Sequence, residues 1–383
     1  MKVKFNSEAK DGFYKELKIR VDKLLFKDGL FLRRKRLLYF KAGLYFSLFF
    51  ISYSWLYIPV SASCGSLLIK YVVTGLLGVL LAFNVSHDAT HGTFSKNKLV
   101  NKCLYYLSFN LQGTNACLWG IRHKASHHIF PNVDGCDADI DDNALIRLSP
   151  GKVYRSYHRF QAWYAILIYM IYTLHWVFIK DFVYLGKKEL ANLQDIKHPV
   201  RQIADVFFWK LFYLSLFILF PYLYGYPLSW VLLSFLFLHV AISLLFIFSL
   251  IVSHLTLETD FPVPDQTGKL SYNYAQHQLA TSLDYHPDNR IVNFIFGGFN
   301  SHAAHHLFPD YPHTVYADIS PLIREMALKY EYPYHQASWW KAIVSHFKYL
   351  DKMGHGYGSA AKPARIEKLH AGYKGGTSKA IRS

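Results

Sequence analysis

The amino-acid sequence predicts an all-α, integral-membrane helical bundle of about four transmembrane helices with a helical cap on one side. The chain is 52% hydrophobic and 17% aromatic, and its apolar residues are bunched into long runs. Residues 211–254 contain no Asp, Glu, Lys or Arg, and residues 42–60 form a second uncharged run. A helix needs roughly 20 apolar residues to cross the hydrocarbon core of a bilayer. Runs of this length predict membrane spans rather than the core of a soluble domain.

The two ends of the chain are basic. Residues 1–41 hold 13 Lys and Arg against 5 Asp and Glu, and residues 353–383 hold 6 against 1, which accounts for most of the net charge of +16. Basic segments beside spans follow the positive-inside bias and attract anionic lipid headgroups. No nucleic-acid-binding motif accompanies this charge, so we exclude nucleic acid as a partner. We predict a basic cytoplasmic N-terminal arm (1–41), a membrane domain (42–352) and a disordered basic tail (353–383).

Three clusters of histidines lie in the polar segments that flank the apolar runs. HDATH contains two histidines four residues apart, which project from one face of a helix. HKASHH and HAAHH repeat this spacing and add a neighbouring histidine that points roughly 100° around the helix. One metal cannot easily take both neighbours, and eight histidines exceed the three or four ligands of a zinc site, so two metals side by side are predicted. The candidate ligands are His87, His91, His123, His127, His128, His302, His305 and His306.

The identity of the metal does not follow from the ligand type, because imidazole binds zinc, copper, iron and nickel. Iron is favoured by the context, since the clusters adjoin lipid-immersed helices, where the natural substrate is an acyl chain with unactivated C–H bonds. Breaking such bonds requires a redox metal that activates dioxygen. The first cluster has Asp88 where the HExxH motif of zinc proteases has Glu. No Glu-x-x-His pair of the carboxylate di-iron bundles occurs at the clusters.

A shared metal site requires the three clusters to lie on one side of the membrane. An even number of crossings must then separate the second cluster from the third, although three apolar stretches lie between them. We therefore predict that residues 163–179, which contain two Trp and several Tyr, lie in the membrane interface. Both termini and the histidine site are then cytoplasmic, at the inner or plasma membrane if the source is bacterial. The predicted spans are residues 42–60, 66–86, 211–224 and 229–253, the last two forming a hairpin turned at residues 225–227.

The histidine motifs together resemble those of the membrane fatty-acid desaturases, a histidine-box family with a di-iron centre. HDATHG, HKASHH and HAAHHLFP, with NVDGCDADID between the second and third and GGFN before the third, are similar to the linoleoyl-CoA desaturase-like branch of acyl-CoA and front-end desaturases. The resemblance covers roughly residues 83–349. It implies that the eight histidines bind two iron ions (Fe2+/Fe3+), with no catalytic residue beyond the metal ligands. It also implies a ninth ligand at the end of the last span, where His254 stands.

The same resemblance implies the reaction and its participants. A fatty acyl chain, carried as acyl-CoA or acyl-lipid, receives a cis double bond, with O2 as co-substrate and the lipid bilayer as the surrounding medium. Electrons come from a separate ferredoxin or cytochrome b5-like donor, because the sequence has no HPGG haem motif of a fused cytochrome b5. Many front-end enzymes begin the third box with Gln, whereas this chain has His302, so the double-bond position cannot be copied from them.

Two other functions are compatible with the histidine pattern. A fatty-acyl or lipid hydroxylase uses the same scaffold and returns oxygen to the carbon. A non-catalytic membrane metal carrier needs ligands without oxygen chemistry, although such a protein is expected to place ionisable residues inside its spans. Among the acidic residues near the clusters, Asp88, Asp137 and Asp139 are predicted to orient ligand imidazoles. We treat the histidines outside the clusters, His313 among them, as structural or exposed, with His254 the one exception.

Overall fold

The computed structural model describes residues 2–7, 12–58, 63–141, 144–358 and 369–370. Most of these residues are helical, which confirms the predicted all-α membrane bundle. The helices, in chain order, are α1 Phe13–Phe26, α2 Leu30–Trp55, α3 Cys64–Leu81, α4 His87–Thr90, α5 Lys98–Asn110, α6 Ala116–Arg122, α7 Ala138–Asp141, α8 Gln161–Met170, α9 Tyr172–His175, α10 Asp181–Gly186, α11 Val200–Leu214, α12 Phe220–Leu223, α13 Leu228–Leu250, α14 Tyr274–Ala280, α15 Arg290–Phe296, α16 His302–Leu307, α17 Tyr316–Lys329 and α18 Trp339–Gly354.

Short strands and single helical turns complete the described structure. The strands are β1 Leu193–Gln194, paired with β4 Leu369–His370, and β2 Leu283–Tyr285, paired with β3 His335–Ala337, and both pairs are parallel. Four π turns lie next to or between helices, at Ala82–Ser86, His123–His127, Trp176–Lys180 and Ser215–Leu219. Four 3-10 turns lie at Lys27–Gly29, Ser156–Phe160, Ile251–Ser253 and His313–Val315. Most of the predicted disordered tail (353–383) lies outside the described residues, and α18 extends into its first two positions.

In the part of the chain that the structure describes, four helical segments are each long and apolar enough to cross a membrane, as predicted, and each overlaps one predicted span. They are Phe13–Trp55, Cys64–Thr90, Val200–Leu223 and Leu228–Ser253. The last two are joined at residues 224–227, where Gly225 takes a φ of 114° that favours glycine. The segment predicted to lie in the interface, residues 163–179, falls on two helices, Ser156–Met170 and Tyr172–Gly186, that are bent by 64° to each other.

The packing of the spans includes a close helix–helix contact and a buried polar cluster. A Cβ atom added at Gly75 on α3 would lie 2.6 Å from Leu238 Cγ on α13, so the small residue lets these two helices approach. Between α9, α11 and α13, the imidazole of His239 lies 2.9 Å from Thr173 Oγ1 and 3.1 Å from the hydroxyl of Tyr213. Polar groups inside a bundle pair with one another because hydrocarbon offers them no partner.

The polar part of the protein, here called the cap, consists of residues 91–160 and 254–358. Helix α1 packs on α17 of the cap, and a stripe of its residues at every fourth position is fully buried there: Phe13, Leu17, Val21 and Leu25. Three ion pairs flank this contact and use basic residues of the arm or of α17: Arg34 with Asp318, Arg20 with Glu325, and Lys329 with Glu16. The N-terminal arm is therefore held against the cap by an apolar face and by charge pairs at its edges.

The packing of α1 leads to a stability prediction. Leu17→Ala removes a fully buried side chain from the α1–α17 contact, so we expect a loss of about 2–5 kcal/mol of the free energy of unfolding. Ile19 lies on the opposite face of α1 and is 59% exposed, so Ile19→Ala is the matched control and should change little. Thermal unfolding of both variants in detergent measures this difference. Equal unfolding temperatures would contradict the docking of α1 on the cap.

Candidate metal centre

The three histidine clusters lie at or next to helix termini. His87 begins α4 directly after the π turn Ala82–Ser86 at the end of the second span. The second cluster is itself a π turn, His123–His127, that continues α6. His302 begins α16, which is held at its N-terminus by Asp284, since Asp284 Oδ1 accepts the N–H of Ala303 at 2.8 Å. π turns are frequent at functional sites, because the extra residue in the turn changes the direction in which the following side chains point.

Two glycines let the segment before α16 approach the end of the second span and the turn at His313 closely. Gly297 has a φ of 60°, and a Cβ atom there would lie 2.4 Å from the carbonyl oxygen of Phe83. Gly298 has a φ of 84°, and its added Cβ would lie 2.6 Å from the Cβ of His313. A side chain at either position would meet both a strained backbone and a clash. The GGFN segment thus lets the third cluster lie beside the first.

The histidines form two groups, each with ligand nitrogens within 4.8 Å of one another. In the first group, Nε2 of His87 lies 3.1 Å from Nε2 of His305, and Nε2 of His123 lies 3.0 Å from Nε2 of His128. The fifth member, His91, has its Nε2 3.4 Å from that of His123. Four of these five side chains are buried and His91 is half-buried. All three predicted clusters contribute to this group.

The second group contains four buried histidines, His127, His254, His302 and His306. Nε2 of His254 lies 2.6 Å from Nε2 of His302 and 3.2 Å from Nε2 of His306. His254 follows the last span directly, and it is therefore brought to the second and third clusters as the sequence suggested. All nine predicted site residues fall within these two groups, and the two groups contain no other residue of the described chain.

The neighbouring histidines of each pair point into different groups. The rings of His127 and His128 are 6.0 Å apart at 80°, and those of His305 and His306 are 5.4 Å apart at 68°. The sequence spacing suggested that His123 and His127 share a helix face, but the π turn places His123 with His128 instead. The N–H of His128 bonds the carbonyl of His123, five residues back, which widens the turn by one residue.

Three of the imidazoles are oriented by contacts of Nδ1, the ring nitrogen on the side away from the histidine group. The carbonyl oxygen of Thr281 accepts from Nδ1 of His254 at 2.8 Å, and both carboxylate oxygens of Asp137 lie 3.2 Å from Nδ1 of His127. The hydroxyl of Tyr316 lies 3.4 Å from Nδ1 of His305. Such partners fix the tautomer, so Nε2 keeps a free lone pair directed at the group. Asp137 therefore takes the orienting position predicted for it, and Asp139 lies 3.7 Å from the same His127 nitrogen.

The protonation of the histidines favours metal binding. Burial lowers the pKa of His254 to about 3, so its imidazole is neutral. Burial likewise lowers the pKa of six further histidines well below the ordinary value, with nearby imidazoles as the second cause: His91, His123, His128, His302, His305 and His306. Burial also acts to lower the pKa of His127, but Asp137 outweighs it and the pKa is raised. Apart from His127, the histidines described here thus offer neutral, converging nitrogens, the form in which imidazole binds a metal cation.

One buried network beside the centre was missed by sequence reasoning. His313 is fully buried, and its Nδ1 lies 2.9 Å from Asp88 Oδ2 while its Nε2 lies 2.6 Å from Lys41 Nζ. Asp88 therefore contacts His313 and not a histidine of the boxes, unlike Asp137. The contact joins residues 225 positions apart, and no local spacing signals it. Its effect is to tie the first histidine box to the turn that precedes α17.

The fold and the two histidine groups define a multi-pass membrane protein with clustered histidines that could hold metal ions. A family model described as "Fatty acid desaturase" matches residues 62–338, most of the chain. The chain therefore belongs to the fatty acid desaturase family, and it is an oxidoreductase, as the resemblance of its histidine boxes predicted.

Curated relatives of the chain cover nearly its whole length. An sn-1 linoleoyl-lipid 6-desaturase of Arthrospira platensis is 28% identical over 346 residues, which are 89% of this chain and 92% of that protein. A protein of the same name from Synechocystis is 26% identical over 92% of this chain and 98% of its own. An acyl-lipid (8-3)-desaturase of Physcomitrium patens is 28% identical over 82% of this chain and 65% of its own length. These relatives are named for lipid-linked acyl substrates.

The position of His254 leads to a metal-content prediction. His254→Ala removes the nitrogen that lies between His302 and His306, so we expect the purified protein to lose about half of its bound metal or more. His346→Ala is the matched control, because His346 is equally buried but both of its nitrogens contact Leu255 and Tyr169. Inductively coupled plasma mass spectrometry of folded protein measures the metal content per chain. Full metal content in His254→Ala would remove this residue from the site.

Proposed function

We propose that this protein inserts a cis double bond into the acyl chain of a membrane lipid, using a di-iron centre, O2 and electrons from a separate donor. The observation that supports this proposal is the pair of adjacent, buried, all-histidine groups at the end of the spans. We propose that His87, His91, His123, His128 and His305 bind one iron, and that the second iron is bound by His127, His254, His302 and His306. The two groups adjoin each other, because the consecutive residues His127 and His128 belong to different groups, as do His305 and His306. This arrangement would place the two metals side by side.

Iron fits these residues and the family chemistry. Neutral imidazole nitrogens bind iron well, and the described groups contain no thiolate that would favour a purely structural zinc site. Two iron ions bound there supply the oxygen-activating chemistry that removes hydrogen from two adjacent methylene groups. The protein contributes ligation, orientation and exclusion of water. Asp137 and Thr281 hold two imidazoles in place, and the burial of eight of the nine histidines keeps bulk solvent from the centre.

We propose an acyl-lipid as the substrate class, because the relatives that cover nearly the whole chain are named for lipid-linked acyl groups. The sequence alone did not distinguish an acyl-CoA substrate from an acyl-lipid. A lipid-linked chain reaches the centre directly from the bilayer, since the first histidine box lies at the end of the span Cys64–Thr90. The rival reaction on the same scaffold is hydroxylation, which retains one oxygen atom on the acyl chain.

Expression of the protein with compatible electron donors tests the reaction. We expect a new unsaturated fatty acid, lighter by two hydrogens, in cells that express the wild type, and none in cells that express His302→Ala, because this variant removes a proposed iron ligand. His355→Ala, at an exposed histidine, should behave as the wild type. Gas chromatography with mass spectrometry of the fatty acids measures the outcome. A product heavier by one oxygen indicates a hydroxylase, and an unchanged profile in all strains leaves desaturation unsupported.

The metal itself distinguishes the enzyme from a metal carrier. We expect about two iron ions per chain in the purified wild type, together with oxygen consumption when the protein is reduced in the presence of substrate. A ferredoxin or a cytochrome b5-like protein is the proposed electron donor. Zinc without iron, and no oxygen consumption, would support a non-catalytic membrane metal carrier instead.

We propose that both termini and the histidine site lie on the cytoplasmic side. Four spans return the chain to its starting side, and the basic residues of the arm favour the cytoplasm. The fusion of alkaline phosphatase at residue 226 should therefore be active, whereas a fluorescent protein at residue 226 should be dark. Fusions after residue 358 should give the opposite result. A fluorescent fusion at residue 226 would contradict this topology.

A further inference from the structure

Two buried cations lie together beside the second histidine group. The guanidinium of Arg122 lies 5.3 Å from the ring centre of Trp176 and 5.3 Å from that of Tyr184. The ammonium of Lys180 lies 5.2 Å from Trp176 and 5.7 Å from Tyr184. Both side chains thus contact the same two aromatic rings, and both residues are at least nine-tenths buried. We call Arg122, Lys180 and the rings around them the cation pocket.

The two cations have more N–H donors than partners. A guanidinium has five donors and an ammonium has three. Within the described chain, Arg122 donates to the hydroxyl of Tyr184 at 2.6 Å, and Lys180 donates to the hydroxyl of Tyr172 at 3.1 Å. Nε of Arg122 is buried and has no hydrogen-bond partner there, although Asp139 Oδ1 lies 3.3 Å away. Donors therefore remain for a further oxygen ligand.

The positive charge of the cation pocket is also only partly neutralised by its neighbours. Among the described residues, the two cations face one carboxylate, that of Asp139, whose side chain is 37% exposed. The other nearby carboxylate, Asp181, is occupied: Lys210 Nζ donates to it at 2.6 Å and Trp176 Nε1 at 2.9 Å. Lys210 thus shows how this fold neutralises a buried lysine. A buried charge without such a partner is costly, so an electronegative ligand would stabilise the cation pocket.

The position of the cation pocket links it to the substrate. Arg122 directly precedes His123, and Asp139 Oδ2 lies 3.7 Å from Nδ1 of His127, so the pocket adjoins both histidine groups. Lys180 and Trp176 belong to the bent pair of apolar helices, Ser156–Met170 and Tyr172–Gly186. Aromatic and basic residues of this kind lie at the level of lipid ester and headgroup oxygens.

We propose that Arg122 and Lys180 bind the head-end oxygens of the acyl-lipid substrate, either the ester carbonyl oxygen or a headgroup phosphate. This inference rests on the proposed function and assigns the part of the substrate that the cation pocket receives. With the head end held next to the histidine groups, only the first methylenes of the acyl chain reach the centre. The double bond is then positioned by its distance from the carboxyl end and not from the methyl end.

Substitution of Lys180 tests the cation pocket. Lys180→Met keeps the length of the side chain and removes its charge, Lys180→Arg restores the charge, and Lys188→Met is the control at an exposed lysine of the same region. Iron-loaded proteins in nanodiscs are assayed with a linoleoyl phosphatidylglycerol and a linoleoyl galactolipid that has no phosphate. The readouts are KM, kcat, iron content and the position of the new double bond.

We expect Lys180→Met to raise KM about tenfold or more with iron content unchanged, as for the loss of a charge-assisted hydrogen bond, and Lys180→Arg to recover most of it. A rise with both lipids identifies the ester carbonyl as the ligand, and a rise with phosphatidylglycerol alone identifies the phosphate. An unchanged KM and bond position with both lipids would overturn the proposal. If the wild type itself does not turn over, the proposed function fails, and native mass spectrometry of phosphatidylglycerol binding to wild type and Lys180→Met tests the pocket separately.

Discussion

The structure depends on the convergence of nine imidazoles into one buried space. Neutral imidazole nitrogens that face one another within hydrogen-bond distance, such as those of His254 and His302, stabilise each other poorly, because lone pairs repel. The surrounding fold must therefore hold these imidazoles in place. Four separate stretches of chain supply the nitrogens, and each stretch is fixed by contacts outside the centre. The helix bundle, the cap and the arm all contribute to that fixation.

The contacts that hold these stretches in place depend more on backbone conformation than on side-chain packing. Gly297 lets the segment before the third box approach Phe83, and Gly298 lets it approach His313, at distances that a Cβ atom would prevent. The π turn of the second box changes which histidine faces which group. Asp284 holds the N-terminus of α16, and burial raises the pKa of its carboxyl to about 6 although the N–H of Ala303 and the hydroxyl of Tyr334 donate to it. The backbone thus departs from regular α-helix within the second box and directly before the first and the third.

The lipid environment imposes a second constraint. Most ionisable groups near the spans are paired, as Lys210 is with Asp181, because an unpaired charge is costly away from water. Beside the histidine groups, by contrast, Arg122 and Lys180 lie together with Asp139 as the nearest described carboxylate, and Lys180 belongs to the pair of helices bent by 64°. In the proposed function, the head end of the lipid therefore binds next to the histidine groups. The short distance between the two sites then limits which methylenes of the acyl chain can react.

Uncharged runs of membrane length predicted the four spans, because hydrocarbon excludes charge over a fixed thickness. Histidine spacing predicted the boxes, and family resemblance added His254, so all nine residues of the two groups were named from the sequence. Only the tertiary structure decided how they divide, since the π turn pairs His123 with His128 through a backbone hydrogen bond that spacing does not reveal. It also decided the contacts of His313 with Asp88 and of Arg122 with the rings shared by Lys180. Those contacts join residues far apart in the chain, and local residue patterns contain no information about which distant surfaces meet.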